Sequence, residues 1–417
     1  MLSGQTTRGR FLIFGGLYFA QGVPWGFFTV ALQLRLTGLG MTPGQLGEVL
    51  TMAWLPWAAK PLLGPLVDRV KFGRFGRRRP FVLLAELGMA LTLLWLATVD
   101  PARSLSFFMW FVLVHNCFAA AQDVGVDALA LDLLTPDERG RANGIMAAGK
   151  YAGIVAGGQG LLWIGVHVGW PTAFVAAVGL LLVPATLVWG VRETSAASGP
   201  PRAGLPRLLL RSFVTRVALI ALVFSLVSDL SDAFLTPMAF PFFKNQLGYT
   251  AERIARLSTF GGLVGIGGSL LGGVLSDRVG RRRTLLAACL LVAVTDLVFA
   301  AGHAWWPRFS FVLAISLAGQ LASGVAYAAS TALFMDLTNP RLGATQFQVY
   351  MSAWNLRASG AMYVGGHVAE RLAARSMFIL GGALEVIPLA LLLFLDVGRV
   401  QKAYARDADA DGRDAVT

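Results

Sequence analysis

The sequence predicts an all-α integral membrane protein with twelve transmembrane helices, arranged as two related halves of six. Hydrophobic residues make up 56% of the 417 residues and charged residues only 14%, with a mean hydropathy of +0.64. Soluble domains carry about 25% charged residues, so this composition indicates a chain that lies in lipid. A basic segment also occurs twice, half a chain length apart, once after Asp68 and once after Asp277. Such a repeat in an apolar sequence is typical of transporters built from two related halves.

The predicted helices are twelve apolar stretches, each long enough for the roughly 20 residues that cross the hydrocarbon layer. They lie near residues 11–36, 44–67, 80–98, 106–131, 142–167, 171–190, 213–241, 252–275, 284–301, 308–335, 343–370 and 376–397. A segment rich in Ser, Gly, Pro and Arg separates the sixth from the seventh, which indicates a flexible linker. The predicted organisation is an N-terminal six-helix bundle at 1–190, a cytoplasmic linker at 191–212, a C-terminal six-helix bundle at 213–400 and a disordered cytoplasmic tail at 401–417.

The loop charges predict the orientation in the membrane. The loops after the second and eighth stretches and the linker are rich in Arg, whereas the loop at 37–43 has no basic residue. The positive-inside rule therefore places both termini in the cytoplasm. Because the basic residues are spread over several loops, the net charge of +12 indicates topology rather than nucleic-acid binding. No cleavage site follows the first stretch, so we expect it to remain as a helix. Cys117 and Cys289 both fall inside apolar stretches, and no disulfide framework is expected.

Ionisable residues inside the apolar stretches point to a hydrated interior. Each costs about 2.5–3.5 kcal/mol on insertion scales, so half of them facing lipid would cost on the order of 10 kcal/mol, comparable with the stability of a domain. Most must therefore face a wet cavity or one another. The residues are Lys60, Glu86, Asp123, Asp127, Lys150, Asp229, Asp232, Asp296, Arg357 and Glu385.

Four of these carboxylates are the candidates for proton coupling. Asp123 and Asp127 lie on one stripe of the helix predicted for the fourth stretch, and Asp229 and Asp232 lie on one stripe of that predicted for the seventh. Carboxylates that share a low-dielectric cavity are suited to carry a proton. The alternative for Asp123 and Asp127 is a purely structural pair, held by Lys60 or Lys150.

Cations and aromatic residues suggest a site for substrate. Lys150 and Arg357 are candidate anchors for an anionic group, and Arg offers it two parallel hydrogen bonds. The alternative is that both only neutralise the aspartates. Trp25 and Trp57 are candidates for aromatic walls, although interfacial and packing roles are equally compatible with their positions.

The two basic segments predict a gate at the cytoplasmic helix ends. Ion pairs between the Asp and Arg residues there would latch the inner gate, and the alternative is that these residues only fix the topology. A weaker repeat, Asp132-Leu-Leu-Thr-Pro136 and Asp336-Leu-Thr-Asn-Pro340, lies at a similar spacing. The predicted gating residues are Asp68, Arg69, Arg77, Arg78, Asp277, Arg278, Arg281 and Arg282.

The basic segments resemble the signature of the major facilitator superfamily, the second copy more closely than the first, which has extra loop residues at 71–75. Three further segments resemble the branch that contains the muropeptide permease AmpG, the acetyl-CoA transporters and the siderophore permeases of the RhtX/FptX kind. They are Tyr18-Phe-Ala-Gln21-Gly22-Val-Pro24, Leu55-Pro56-Trp57-Ala-Ala-Lys60 and Gln122-Asp123-Val-Gly-Val-Asp127-Ala. The resemblance implies alternating access to a central site, proton-driven uptake across the bacterial inner membrane, and roles for Gln21, Lys60, Gln122, Asp123 and Asp127.

The predicted function is a proton-coupled secondary transporter that imports a bulky polar or amphiphilic metabolite. Muropeptide and ferric siderophore are the two substrates considered, and Gly149-Lys150-Tyr151, where AmpG-like chains tend to have Gly-Tyr-Arg, weakens muropeptide. The alternatives are a sugar/proton symporter or a drug exporter on the same fold, and a sensor that does not transport. The predicted substrate-binding residues are Gln21, Trp25, Trp57, Lys60, Gln122, Lys150, Gln320, Tyr327, Gln346, Tyr350 and Arg357.

An enzyme is not expected from this sequence. Its four His residues are scattered without metal-ligand spacing, and the chain has neither a nucleophile elbow nor a phosphate-binding loop. We therefore expect no cofactor or metal, with the transmembrane proton gradient as the energy source. The expected partners are a small-molecule substrate and the lipid bilayer, without nucleic acid, for a monomeric multi-pass protein of the bacterial inner membrane.

Overall fold

The structure is a computed structural model that describes residues 6–69, 76, 78–135, 138–191, 216–338 and 343–394. These residues are almost entirely helical and divide into two compact units, unit 1 within Met1–Ser198 and unit 2 within Gly199–Thr417. The predicted tail, and the predicted linker apart from Val191, lie outside the described residues. The domain boundaries given above for them therefore stay predictions.

Six helices follow one another in the described part of unit 1. They are α1 (Thr7–Gly38), α2 (Pro43–Ala58 and Lys60–Arg69), α3 (Arg78–Thr98), α4 (Leu105–Leu133), α5 (Arg139–Val155, continued by Ala156–Gly160 and Leu161–His167) and α6 (Trp170–Ala185, continued by Thr186–Gly190). Phe14 and Leu17 of α1 pack with Leu129 of α4 and Met146 of α5 in the core of this unit.

The described part of unit 2 also has six helices. They are α7 (Arg216–Val227 and Leu230–Pro241, continued by Phe242–Gln246), α8 (Ala251–Val279), α9 (Arg281–Ala301), α10 (Phe309–Asp336), α11 (Gly343–Ala369) and α12 (Ala374–Leu384 and Val386–Leu392). Its core packs Phe224 of α7 against Phe334 of α10 and Tyr350 of α11. Each of the twelve predicted stretches thus corresponds to a helix among the described residues.

Within the described residues, nine helices are long and apolar enough to cross a membrane on length and composition alone. The helices α2, α5 and α11 are not among the nine. These three helices carry Lys60, Lys150 and Arg357, the three candidate cations. The three helices that fall outside the nine are therefore the ones that carry the candidate cations.

Three helices predicted as continuous are broken, and this corrects the sequence analysis. α2 breaks at Ala59, α12 at Glu385, and α7 at Ser228 and Asp229. Pro61 and Pro388 explain the first two breaks, because proline has no N–H for the carbonyl four residues earlier. At the third, Asp229 adopts a left-handed conformation with φ of 57°. The predicted stripe with Asp229 and Asp232 therefore does not run along one uninterrupted helix.

Close backbone contacts between helices depend on glycine in both units. A Cβ atom added at Gly22 of α1 would lie 2.1 Å from the carbonyl oxygen of Lys150 in α5. A Cβ atom at Gly365 of α11 would lie 2.0 Å from the carbonyl oxygen of Phe234 in α7. Small residues at such crossings let membrane helices approach closely, which places side chains of α5 beside α1 and those of α11 beside α7.

Candidate functional site

The candidate site of unit 1 is centred on the Asp123 carboxylate of α4. Lys60 of α2 donates to one of its oxygens and Gln21 of α1 donates to the other. Asp123 is only 5% exposed, so this ion pair is largely removed from solvent. A buried charge is tolerated when it is both paired and hydrogen-bonded, and Asp123 meets both conditions. The structure therefore brings Gln21, Lys60 and Asp123 together, and the Lys60–Asp123 pair is the one named above as the structural alternative. The roles of these residues in transport stay predictions.

Asp127 lies one helical turn after Asp123 but has a neutral partner. Its carboxylate accepts a hydrogen bond from the Tyr18 hydroxyl of α1. Within the part of the chain that the structure describes, Asp127 has no ion pair, whereas Asp123 has one. The two neighbouring carboxylates are therefore held by different chemistry, one by a cation and one by a phenol. Sequence reasoning placed Tyr18 beside Gln21 but gave it no role.

Three indole rings surround the cations of unit 1. The Trp25 ring centroid lies 4.4 Å from that of Trp54 and 5.8 Å from that of Trp57. The Lys60 ammonium lies 4.5 Å from the Trp57 ring centroid, and the Lys150 ammonium lies 5.6 Å from the Trp25 ring centroid. Both distances are within the range of a cation–π interaction. The structure therefore brings the predicted aromatic residues and both lysines into one cluster.

Local backbone features place these side chains. The break before Lys60, caused by Pro61, ends the first part of α2 just after Trp57. Gly22 brings the backbone of Lys150 against α1, one turn from Trp25. We call Tyr18, Gln21, Trp25, Trp54, Trp57, Lys60, Asp123, Asp127 and Lys150 the unit 1 cluster.

Gln122 lies next to this cluster in sequence but points elsewhere. Its side chain is fully buried and donates to Glu86 of α3 at 2.9 Å and to the carbonyl oxygen of Leu17 in α1 at 3.3 Å. Successive residues of a helix point about 100° apart, which separates Gln122 from Asp123. These contacts join α4 to α1 and α3. The proposed role of Gln122 in substrate binding stays a prediction.

The candidate site of unit 2 lies at the break in α7. Arg357 of α11 donates from one guanidinium nitrogen to the backbone carbonyl of Asp229 and from another to the Asp229 carboxylate, at 3.4 Å. Arg357 is 7% exposed, and its guanidinium carbon lies 5.7 Å from the Trp354 ring centroid. The pairing of this cation with an aspartate of α7, named above as the alternative to substrate binding, is therefore present, together with a backbone contact that the sequence did not indicate. Substrate binding by Arg357 stays a prediction.

Two further carboxylates reach the same break from other helices. Glu385 of α12 accepts a hydrogen bond from the Ser231 N–H at 3.0 Å, and Asp296 of α9 accepts one from the Ser231 hydroxyl. Glu385 is 1% exposed. Sequence reasoning counted both carboxylates among the costly intramembrane residues but assigned neither a function. The signal that was available for Glu385 is Pro388, which predicts a helix break beside it.

The remaining candidates of unit 2 lie in different environments. Asp232 is exposed in unit 2, and Gln320 is exposed on α10. Gln346 and Tyr350 are fully buried, and the Gln346 amide donates to the Tyr350 hydroxyl at 2.9 Å. Tyr327 stacks at 5.1 Å between ring centroids on Trp354, the neighbour of Arg357. Substrate binding by Gln320, Tyr327, Gln346 and Tyr350 stays a prediction, as does proton coupling by Asp232.

Ion pairs also join the helix ends that the basic segments occupy. Arg78 at the start of α3 pairs with Asp132 near the end of α4 at 3.3 Å. Arg281 at the start of α9 pairs with Asp336 at the end of α10 at 3.1 Å and also with Asp277.

The other predicted gating residues are placed less fully. Arg282 donates to the carbonyl oxygen of Leu393 at 3.1 Å, and Arg278 is exposed. Arg77 and the side chains of Asp68 and Arg69 lie outside what the structure describes. The gating role of all these residues stays a prediction.

Unit 1 has a further ion pair, between α1 and the residue that precedes α5. Arg10 donates to Glu138 at 3.0 Å, and the Thr7 hydroxyl donates to the same carboxylate at 2.6 Å. The hydrogen bonds from Arg10 and then from Thr7 lower the pKa of Glu138 from 4.5 to about 2. This residue therefore stays ionised at any ordinary pH.

The chain is similar to several known transporters over nearly its whole length. The family model described as Major Facilitator Superfamily matches residues 14–362. An anhydromuropeptide permease of Escherichia coli is 27% identical over 93% of this chain and 80% of its own length. A putative transporter AmpG 4 of Rickettsia conorii is 24% identical over 89% of this chain and 92% of its own length.

Solved structures show the same fold. A D-xylose–proton symporter superposes with a TM-score of 0.73 at 13% identity, covering 93% of this chain and 96% of the symporter. A bacterial homologue of the human lysosomal transporter Spinster superposes with a TM-score of 0.68 at 16% identity, covering 96% of this chain and 98% of the homologue. The names of the sequence relatives confirm the predicted resemblance to the AmpG branch.

Proposed function

This chain belongs to the major facilitator superfamily, and we propose that it is a proton-coupled importer of muropeptide in the bacterial inner membrane. The family and its permease relatives make the chain a multi-pass membrane transporter, not an enzyme. We further propose the substrate, the direction of transport, the coupling ion and the orientation with both termini in the cytoplasm. Alternating access of the two six-helix bundles is the proposed mechanism.

The observation that carries the proposal is the unit 1 cluster. It combines aromatic faces, which suit the apolar sides of sugar rings, with two ammonium groups, which suit the carboxylates of a peptide. A muropeptide presents both kinds of group on one molecule. We propose muropeptide rather than ferric siderophore because the Escherichia coli relative is an anhydromuropeptide permease. Siderophore and sugar then serve as comparison substrates.

The different partners of Asp123 and Asp127 support proton coupling. Lys60 balances the charge of Asp123, so this carboxylate is suited to remain ionised throughout the cycle. Asp127 has a neutral partner in Tyr18, so binding a proton would change the net charge of the cluster without breaking an ion pair. Ionisable residues inside membrane helices commonly form proton relays. We therefore assign proton binding to Asp127 and substrate-linked charge to Asp123.

The test is uptake of labelled muropeptide into proteoliposomes with an imposed proton gradient. We expect accumulation with the wild type, loss of accumulation with an uncoupler, and no uptake of ferric siderophore or sugar. Asp127→Asn should abolish accumulation but retain exchange of muropeptide between the two sides, because exchange needs no net proton movement. The coupling assignment is wrong if Asp127→Asn accumulates substrate like the wild type. The substrate assignment is wrong if a comparison substrate accumulates and muropeptide does not.

A further inference from the structure

The break in α7 leaves backbone N–H groups that need hydrogen-bond acceptors within the membrane. A helix that restarts at Leu230 presents backbone N–H groups with no partner in the preceding turn. In hydrocarbon each unsatisfied group of this kind costs several kcal/mol, so broken helices persist only where other groups satisfy the backbone. Some side chain must therefore accept hydrogen bonds from the first residues of this second half of α7.

The residue at the expected capping position does not do so. Asp is among the preferred residues at a helix N-cap, where its side chain accepts from the second or third N–H of the helix. Asp229 occupies that position but makes no capping hydrogen bond with its side chain. Its carboxylate instead faces the Arg357 guanidinium. Asp229 therefore forms the ion pair with Arg357 instead of capping the helix that begins at Leu230.

A carboxylate from another helix takes its place. Glu385 accepts a hydrogen bond from the N–H of Ser231, the second residue of the restarted helix, at 3.0 Å. Glu385 itself lies at the break of α12, which lets its side chain leave that helix. A residue at the break of α12 therefore caps the second half of α7.

We propose that Glu385 is a positioning residue for the Arg357 site, acting as the N-cap of the second half of α7 from α12. By accepting from the Ser231 N–H it frees the Asp229 side chain for Arg357 and holds the left-handed turn whose carbonyl Arg357 contacts. Asp296 assists from α9 by accepting from the Ser231 hydroxyl. The consequence for transport rests on the proposed function, in which Arg357 binds substrate, whereas the capping role does not.

Hydrogen exchange tests the capping role without any substrate. The full-length protein in lipid nanodiscs would be compared as wild type, Glu385→Gln and Glu385→Ala, with Glu252→Ala, an exposed residue of the same unit, as the control. In Glu385→Ala the N–H group of Ser231 loses its acceptor and should exchange at least about tenfold faster. In Glu385→Gln the amide oxygen still accepts, so exchange should match the wild type, as it should in the control.

Transport provides the second readout. Because a misplaced Arg357 weakens substrate binding, Glu385→Ala should raise the KM for muropeptide at least about tenfold, and Glu385→Gln should restore it. A merely structural role would lower the amount of folded transporter and leave the KM unchanged. If the wild type transports no muropeptide, the proposed function fails, and the exchange experiment still decides the capping role.

Two outcomes would overturn the inference. One is wild-type exchange at Ser231 in Glu385→Ala, and the other is exchange in Glu385→Gln as fast as in Glu385→Ala. Should the alanine variant not fold, Glu385→Asp replaces it, because it keeps the charge but withdraws the carboxylate by one methylene. We then expect faster exchange in Glu385→Asp than in Glu385→Gln, and the reverse order overturns the inference.

Discussion

Units 1 and 2 both place a cation against an aspartate at or near a helix break, but they bind the cation differently. In unit 1, Lys60 contacts the Asp123 carboxylate and the Trp57 ring. In unit 2, Arg357 contacts the backbone carbonyl of Asp229 as well as its carboxylate. Removing Lys60 therefore removes the charge that balances Asp123. Removing Arg357 does the same for Asp229 and also takes away the hydrogen-bond donor to the Asp229 backbone carbonyl at the helix break. Arg357 is therefore part of the backbone structure at the α7 break, whereas Lys60 interacts with Asp123 through the side chain alone.

At the helix ends the two units are alike, because in each of them an ion pair joins the start of one helix to the end of the next. Arg78 pairs with Asp132 in unit 1, and Arg281 pairs with Asp336 at the corresponding helix ends of unit 2. The sequence repeat thus corresponds to a repeated contact between the start of one helix and the end of the next. The two halves have kept these contacts and have diverged in the middle of their helices, where the candidate sites lie.

The largest effect should follow from removing the cation of unit 2. Arg357→Leu leaves a partly buried carboxylate and a backbone carbonyl without their partner, and we expect a loss of about 3–5 kcal/mol in the free energy of unfolding. Thermal unfolding in detergent and the yield of monodisperse protein would measure this. Transport by whatever folded protein remains should be lost.

The control for this variant is Arg371→Leu, which removes an exposed positive charge in the same unit. Substitutions at exposed positions of this kind change stability by no more than about 0.5 kcal/mol. Equal stability of the two variants would show that the contact of Arg357 with the α7 break contributes little to folding. The distinction drawn between the units would then be wrong.

A smaller effect on folding is expected at the cation of unit 1, and a double-mutant cycle isolates it. Lys60→Met or Asp123→Asn alone breaks a largely buried ion pair and should cost about 3 kcal/mol. The double variant removes both charges, so its stability should recover most of that loss. Its transport should not recover, because the charge that the proposed function requires is absent. Thermal unfolding and muropeptide uptake would be measured on the same four proteins.

The exposed pair Asp100 and Arg103 is a suitable control cycle, since the two side chains are 50% and 88% exposed. Exposed pairs of this kind couple by about 1 kcal/mol or less. A coupling between Lys60 and Asp123 no larger than that of the control would place the unit 1 pair among surface ion pairs. A double variant that transports normally would remove both residues from the proposed mechanism.

The sequence predicted the unit 1 site better than the unit 2 site, and local signals explain why. Lys60 and Asp123 stand out as charges in apolar stretches, and helical periodicity places Asp123 and Asp127 on one face of α4. Pro61 even marks the break before Lys60. Nine of the described helices are long and apolar enough to cross a membrane, so most of the fold of each unit was predictable.

The unit 2 site depends on contacts that no local pattern encodes. Asp229 adopts its left-handed conformation without a neighbouring Gly or Pro, and the cap from Glu385 comes from a residue more than 150 positions away. A helical wheel drawn through Asp229 and Asp232 therefore fails, because the helix is interrupted where tertiary contacts satisfy the backbone. The same limit applies to Gln122, whose burial against Glu86 is visible only when α3 and α4 are packed.

The smallest effect on stability is expected at the ion pair between Glu138 and Arg10. Glu138 lies outside the membrane spans, so this pair extends the comparison between helix ends and helix centres. Its pKa is lowered from 4.5 to about 2 by Arg10 and Thr7, so the folded state favours the ionised form. A lowered pKa contributes stability that is present above 4.5 and is lost as the pH falls towards 2. Glu138→Gln should therefore unfold at a lower temperature than the wild type at neutral pH. The difference should shrink progressively in acid, while uptake at neutral pH changes little. A difference in unfolding temperature that stays constant down to a pH of about 2 would mean that the Glu138 charge does not stabilise the contact between α1 and α5.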